Sequence, residues 1–276
     1  MLAHMVKATC PQGYRIVPFD LPEFDIINRQ QVDFVLGELK PDIILNCAAM
    51  TNVDGCESQQ ELAFKVNGDG PGHLAAAAKA IGAVLLQIST DFVFAGDKQQ
   101  PYQEADETGP LSNYGASKLQ GEKLIESSGL KEYIIIRTSW LYGPGGNNFV
   151  ETILRLASER EQLKVVADQV GTPTYTGDLA AAIWTLIETQ SYGIYHFSNL
   201  GQCSWYEFAK EIIDRAREKG LPLKLRQLEP IPTDGYPLPA TRPAYSVMSK
   251  EKLRSATGLT IPQWQESVQT YFQQRS

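Results

Sequence analysis

Residues 83–91 read A-V-L-L-Q-I-S-T-D. The run is almost wholly apolar as far as Ile88 and then closes on two hydroxyls and a carboxylate: Ser89, Thr90 and Asp91. A strand that is apolar at successive positions is covered on both faces, as in a parallel sheet layered between helices. The same pattern stands upstream in D-I-I-L-N-C (Asp42–Cys47, introduced by Pro41) and downstream in Y-I-I-I-R-T (Tyr133–Thr138). Tyr14–Phe19 reads as a further strand. Helical patterns separate these runs. Asn28–Leu39 places Val32, Val35, Leu36 and Leu39 on one face, Glu57–Ala80 is long and alanine-rich, and Asn113–Ser127 follows. Alternating strands and helices with right-handed crossovers predict an α/β fold with a doubly wound parallel sheet.

Beyond Gly143 the alternation loosens. Asn148–Arg160 reads as a helix, Leu163–Ala167 as a strand, Asp178–Glu188 as a helix and Gly193–Phe197 as a strand. Trp205–Lys219 is an amphipathic helix, and Gln263–Phe272 closes the chain as another. Between these last two, Pro222, Pro230, Pro232, Pro237, Pro239 and Pro243 predict an extended loop. The expected division is a dinucleotide-binding domain over 1–142 and a smaller C-terminal substrate lobe over 143–276, with some later segments returning to the first domain.

Composition narrows the classes of function. The 276 residues are 43% hydrophobic and carry a net charge of −7, so a sizeable core is available and disorder is excluded. No apolar run reaches the ~18 residues needed to cross a bilayer. The acidic balance argues against nucleic acid or an anionic membrane as partner. Cys10, Cys47, Cys56 and Cys203 form no C-x-x-C and match no zinc spacing, so no residue is assigned to a metal. The start lacks the apolar core of a signal peptide, and no N-x-S/T acceptor occurs, which together favour a reducing, cytoplasmic setting.

In open α/β sheets ligands bind beyond the carboxyl ends of the strands. A dinucleotide site begins with a strand, a glycine-rich turn and a helix, and an acid follows about 20 residues later to take the ribose hydroxyls. If Asp20, at the end of Tyr14–Phe19, is that acid, the glycine turn falls at or before Met1 and residues 1–9 are the tail of the first helix. The alternative is that Asp20 is a turn residue before Leu21-Pro22. Gly68, Gly70 and Gly72 stand in a helical context, and Gly143, Gly145 and Gly146 surround Pro144. Both clusters read as structural.

The chemistry concentrates at Tyr114 and Lys118, four residues apart on one helix face. An ammonium beside a phenol favours the phenolate and lowers its pKa from about 10, which suits proton transfer near neutrality. Tyr206 and Lys210 repeat the spacing, but without a strand ending in hydroxyls upstream they read as a packing face and a solvated lysine. Tyr114 follows Thr90 by one crossover and is flanked by Gly115, Ala116, Ser117 and Gly121, small residues that admit close approach.

Taken together, S-T-D-F-V-F (Ser89–Phe94), Y-G-A-S-K with Gly121-Glu122, and R-T-S-W-L-Y-G (Arg137–Gly143) resemble the extended short-chain dehydrogenase/reductases. N-C-A-A-M-T-N-V-D (Asn46–Asp54), G-N-N-F (Gly146–Phe149), D-Q-V-G-T-P-T (Asp168–Thr174) and Arg242-Pro243 narrow the resemblance to the dTDP-4-dehydrorhamnose reductase family. It covers essentially the whole chain. It implies that NADPH or NADH reduces the C4 keto group of a dTDP-linked 4-keto sugar. Tyr114 would donate the proton, Lys118 would tune it and hold the nicotinamide ribose, and Thr90 would bond the reacting oxygen. Asp91 and Trp140 would contact the sugar. Ala49, Met50 and Thr51 would line the cofactor, with Asp20, Asp25 and Ile26 along its adenosine half. Arg242, in the Pro-rich segment, is the candidate diphosphate cation. Core packing is the alternative for Trp140, and a surface ion pair for Arg242.

The family's opening strand and G-x-x-G-x-x-G turn are not in this sequence. Loss of a central strand would leave backbone groups unpaired on its neighbours, at roughly 1–3 kcal/mol each where buried. The expectation is that the chain as written is poorly stable and binds cofactor weakly. Two other readings remain beside the reductase: a related sugar-nucleotide epimerase or dehydratase, and a catalytically idle regulatory subunit of the same fold. A homodimer is compatible with each.

Overall fold

The computed structural model describes residues 1–275. In chain order the elements are α1 (Leu2–Ala8), α2 (Arg29–Leu39), β1 (Ile43–Asn46), α3 (Val53–Ser58), α4 (Gln60–Phe64), a π-helical turn (Lys65–Asp69), α5 (Gly70–Ile81), β2 (Val84–Thr90), a 3₁₀ turn (Asp91–Val93), α6 (Asn113–Ser127), β3 (Tyr133–Thr138) and β4 (Leu141–Tyr142). Then come α7 (Phe149–Glu159), β5 (Gln162–Val166), β6 (Val170–Gly171), β7 (Thr174–Tyr175), α8 (Thr176–Glu188), β8 (Gly193–Phe197), β9 (Cys203–Ser204), α9 (Trp205–Glu218), β10 (Gln227–Ile231), a 3₁₀ turn (Thr233–Gly235), α10 (Glu251–Thr257) and α11 (Trp264–Gln274).

The main sheet runs β1-β2-β3-β8, parallel throughout. Its apolar residues alternate between two cores. Leu86, Ile134, Ile136, Tyr195 and Phe197 face Leu2 and Val6 of α1 and Leu179, Ile183 and Leu186 of α8. Ile44, Leu85 and Ile135 face the other way, onto Val32 and Leu36 of α2, Leu74 and Ala78 of α5 and Ile125 of α6. Consecutive isoleucines in β3 therefore serve opposite layers, and each contributes roughly 1.5–3 kcal/mol on burial. This two-faced covering is the doubly wound arrangement. A third core joins α7, α9, α11 and β5 through Ile153, Leu163, Phe208, Ile212 and Val268. It belongs to the C-terminal half, whereas α8 and β8 return to the main sheet.

Capping explains several boundaries. The Asn28, Asn52, Ser112, Asn148 and Ser204 side chains accept N–H bonds from the first turns of α2, α3, α6, α7 and α9. Three expectations are corrected. Tyr14–Phe19 is not a strand: no strand among the described residues pairs with it, β1 is the edge of the sheet, and Tyr14, Val17 and Phe19 are exposed. Glu57–Ala80 is not one helix. It is divided at Gln59 and again by the π turn at Lys65–Asp69, which lets the backbone of Asn67 meet α6 at Gly121, where a Cβ would stand 2.3 Å from the Asn67 carbonyl oxygen. The Pro-rich stretch is not wholly loop, because Gln227–Ile231 pairs in parallel with β5. Pro230 is tolerated there because β10 has a single neighbour. No described helix is long and apolar enough to cross a membrane.

Candidate active site

The register that aligns Thr90 with Thr138 brings the carboxyl ends of β2 and β3 to one rim. Thr90 ends β2, and its hydroxyl accepts from the Phe92 N–H (3.2 Å), which opens the 3₁₀ turn, while donating to Asp91 Oδ1 (3.0 Å). Above this turn sits the first turn of α6. Ser112 caps it, and Gly115 lets it descend: a Cβ there would lie 2.2 Å from the Phe92 carbonyl oxygen. That approach sets the Tyr114 ring edge-on to Phe92, with centroids 5.6 Å apart, and its phenol against the Thr90 hydroxyl. Lys118, one turn further, is buried, and its ammonium donates to the Ile88 carbonyl (2.6 Å). Thr90, Tyr114 and Lys118 are thus brought together.

Their electrostatics differ from the expectation. Burial raises the Tyr114 phenol well above its ordinary range, the Thr90 hydroxyl opposes the rise, and the Asp91 charge adds to it. Burial also pushes the Lys118 ammonium down to about 8, against the attraction of Glu122 and Cys47. Desolvation, which disfavours both charged forms, outweighs the mutual stabilisation anticipated from the spacing. The phenol is accordingly held protonated at neutral pH. Asp91 is buried as well. Its carboxyl is raised to about 6 by desolvation, with the Ser246 and Thr90 hydroxyls opposing, and its Oδ2 has no hydrogen-bond partner among the described residues.

Polar residues beneath the rim hold it in place. Glu122, on the next turn of α6, accepts a short bond from Ser89 and a two-pronged pair from Arg137 (2.7 Å at Nη2). Arg137 also reaches His196 Nε2, whose ring is pushed down to about 3 by burial and then by the Arg137 charge. Asn67 pins the loop after β1: its Oδ1 accepts from Met50 N–H (2.9 Å), and its Nδ2 donates to the Met50 carbonyl and to Ser117 Oγ. Ala49, Met50 and Thr51 are therefore held next to α6. The only sign of Asn67 in the sequence is an asparagine before a glycine within a helical run. The role of Glu122 has no local sequence signal, because its partners Ser89 and Arg137 come from other elements.

Beside the rim a pocket is lined by Phe92, Trp140, Gln169, Trp205, Arg242, Pro243 and Ser246. Trp140 has a left-handed backbone (φ 46°) and stacks on Trp205 at 3.6 Å, so the packing alternative and a place in the pocket wall both hold. Gly171 has no Cβ to strike the Trp140 ring, 2.6 Å from where one would stand. Arg242 is ion-paired with Asp54 (2.7 Å) and also lines the pocket. Asp20, Asp25 and Ile26 stand apart in local turns. Asp20 caps Leu21 N–H, Asp25 caps Ile27 N–H, and buried Ile26 packs against Gly70 and gives its carbonyl to His73. Lys210 pairs with Asp214 on the surface, as the packing reading of the second Tyr–Lys spacing expects. Gly143 allows contact with Thr176, and Gly70 with Ile26, so both glycine clusters serve packing.

A nicotinamide dinucleotide fits this site in part. The buried ammonium of Lys118 uses one of its three hydrogens on Ile88, the phenol lies beside it, and the loop 48–51 is fixed alongside. Among the described residues no glycine-rich turn follows a strand next to β1, so the pyrophosphate cradle is not part of this constellation. No group of three or more potential ligands for a metal ion occurs among them either.

Residues 2–276 match the family model described as the RmlD substrate binding domain. The chain is 43% identical over 264 residues to the spore coat polysaccharide biosynthesis protein SpsK of Bacillus subtilis (strain 168), covering 96% of this chain and 90% of that protein. It is 40% identical over 271 residues to dTDP-4-dehydrorhamnose reductase of Escherichia coli (strain K12), covering 95% and 90%. Among solved structures, dTDP-4-dehydrorhamnose reductase from Bacillus anthracis in complex with NADP superposes with a TM-score of 0.94 at 42% identity, over 99% of this chain and 95% of that one. UDP-glucose 4-epimerase of Thermus thermophilus, at 21% identity and a TM-score of 0.74, shares the fold.

Proposed function

We infer that this chain, which belongs to the RmlD substrate binding domain family, reduces the C4 keto group of dTDP-4-dehydro-L-rhamnose to give dTDP-L-rhamnose, using NADPH or NADH. The observation that carries the reading is the convergence of Thr90, Tyr114 and Lys118 at the carboxyl end of β2.

The reduced cofactor, when bound, supplies the hydride to C4. The chain supplies the proton. Tyr114, kept protonated by burial, gives its phenolic hydrogen to the C4 oxygen as the alcohol forms. Thr90 lies against that phenol and orients the same oxygen. Lys118, anchored on Ile88, has hydrogens left for the ribose hydroxyls of the cofactor. Ala49, Met50 and Thr51 border the cofactor. Asp20, Asp25 and Ile26 are proposed for its adenosine end, although their present bonds are local. Asp91 and Trp140 border the sugar, and Arg242 meets the diphosphate. The proposed division is cofactor binding over 1–142 and mainly substrate binding over 143–276. A cytoplasmic homodimer completes the reading, and the reducing setting suits four unpaired thiols.

The test follows NADPH absorbance with dTDP-4-dehydrorhamnose as substrate. Tyr114→Phe is expected to lower kcat by about 10²–10⁴-fold, the usual worth of a positioned acid, with NADPH binding retained. Turnover unchanged in that variant would remove the reading. No oxidation at NADPH concentrations that saturate the chain by fluorescence titration would favour the idle-subunit alternative, and sugar interconversion without net NADPH consumption the epimerase.

A further inference from the structure

The guanidinium of Arg242 is spoken for on one edge only. Nη1 and Nη2 donate to the two oxygens of Asp54 (3.1 and 2.7 Å), and the second Nη1 hydrogen goes to the Ala240 carbonyl (2.8 Å). Asp54 Oδ1 also accepts the Ala240 N–H (3.1 Å). Asp54 itself sits in the first turn of α3, whose N-cap is Asn52, so its backbone is fixed. Both side chains are less than a third exposed, and the arginine holds the Asp54 carboxyl below its ordinary range.

A guanidinium has five donors: a side-on fork of Nε–H and one Nη2–H, an end-on fork of one hydrogen from each Nη, and a fifth on Nη1. Three of the five are used here: one hydrogen of each Nη on the end-on fork, and the second Nη1 hydrogen on the Ala240 carbonyl. The Nε–H and the remaining Nη2–H, which share the other edge, meet no acceptor among the described residues. That edge is a complete bidentate fork, the geometry that fits two oxygens of a phosphate. The same arginine lines the pocket beside Trp140, Trp205 and Phe92. A long side chain free to sweep would lose rotamer entropy on each binding event, whereas one already clamped loses little.

We propose that Asp54 is a positioning residue for nucleotide recognition: it clamps Arg242 end-on, 188 residues away in sequence, so that the free fork stands ready for the diphosphate of the substrate. The inference rests on the reading of the pocket as the nucleotide-sugar site. It adds that the clamp, and not positive charge alone, sets affinity, because Asp54 offsets part of the arginine's charge while fixing its orientation. It also ties α3, which begins directly after the cofactor residues Ala49–Thr51, to the Pro-rich segment carrying Ala240 and Arg242.

The test measures dTDP binding by calorimetry on the full chain, together with steady-state kinetics. Asp54→Asn, which keeps the shape and loses one arm of the clamp, is expected to weaken dTDP about tenfold and to raise the KM of the sugar substrate in step. The KM for NADPH should hold and kcat should change little, a split that a merely structural role would not produce. Asp54→Ala should behave alike and more strongly. Arg242→Lys should not restore binding, since an ammonium has no fork. If Arg242→Ala weakens dTDP while both Asp54 variants bind it within twofold of the unaltered chain, the proposal is overturned and the pocket reading stands. If Arg242→Ala also leaves dTDP binding unchanged, the pocket reading falls and the proposal with it.

Discussion

The Lys118 ammonium, one turn beyond Tyr114 on α6, is held by the main-chain carbonyl of Ile88 at 2.6 Å. It is buried, and desolvation brings it down to about 8. The unfolded chain would hold that proton up to about 10.5. Between these two values the unfolded chain binds more protons than the folded one, so stability contributed by this group rises with pH. Below about 8 the fold carries a buried charge at a cost. Lys118→Met is therefore expected to be more stable than the unaltered protein at pH 7, with the advantage fading toward pH 10.5, while kcat falls by about 10²–10⁴-fold. Thermal melts of both proteins at pH 7, 8.5 and 10 check the sign. A Met variant that is destabilised at every pH would show that the Ile88 bond outweighs the buried charge.

Asp91 gives the opposite sign. Its folded carboxyl titrates at about 6 against 3.8 for the ordinary group, so the folded chain binds the extra proton between those values. Its contribution is best below about pH 4 and is lost as pH rises through 6. Asp91→Asn lacks that titration. Relative to the unaltered chain it should gain about 2–3 kcal/mol between pH 4 and pH 7.5 in urea unfolding. His196 titrates in both proteins and cancels in the difference. The same substitution should raise the sugar KM if Asp91 borders the substrate. A stability difference that stays flat over this range would contradict the burial argument.

Glu122 and Arg137 form a nearly fully buried pair, with side chains 1% and 4% exposed. The Coulomb gain of such a pair is largely offset by desolvation, but removing one partner strands the other. Glu122→Gln should cost about 3–5 kcal/mol, with little dependence on salt because the site is shielded from counterions. Denaturant titrations at low and high ionic strength measure both. A loss under 1 kcal/mol would mean that Arg137 finds another partner.

The residues that were legible in advance were those whose pattern carries a local cause. Tyr133–Thr138 and Asn113–Ser127 have the predicted bounds because apolar continuity and a serine cap are properties of the segment itself. Tyr14–Phe19 reads as a strand from its apolar content alone, but a strand is made by its neighbour, and among the described residues no ladder partner stands beside it. The π turn around Asn67 was hidden because it depends on Gly121, more than fifty residues later, giving way. At the site, the types and spacing of Thr90, Tyr114 and Lys118 predicted their meeting. Their charge states differ from what the spacing predicts, because burial is decided by the packing of α6 on the 3₁₀ turn and not by the four-residue spacing. In the sequence Arg242 fits either a ligand contact or an ion pair. The structure pairs one edge of it with Asp54 and leaves the other open.

Two glycines in helices should respond to the same substitution with opposite signs. A Cβ on Gly115 would meet the Phe92 carbonyl oxygen at 2.2 Å and its carbon at 3.0 Å, and both are backbone atoms that cannot swing aside. Gly115→Ala must therefore lift the first turn of α6 away from the strand end and carry Tyr114 off Thr90. A displacement of about 1 Å at reacting groups costs on the order of 10²-fold in rate, and melting temperature should fall as well. Gly37, inside α2, has nothing within 4 Å of its Cβ position. Gly37→Ala removes backbone freedom from the unfolded chain at no steric cost and should stabilise by about 0.5–1 kcal/mol with activity unchanged. Measured side by side, the pair separates the general effect of a methyl group in a helix from the close approach that seats the tyrosine. Full activity in Gly115→Ala would mean that the helix need not descend on the turn for the chemistry to proceed.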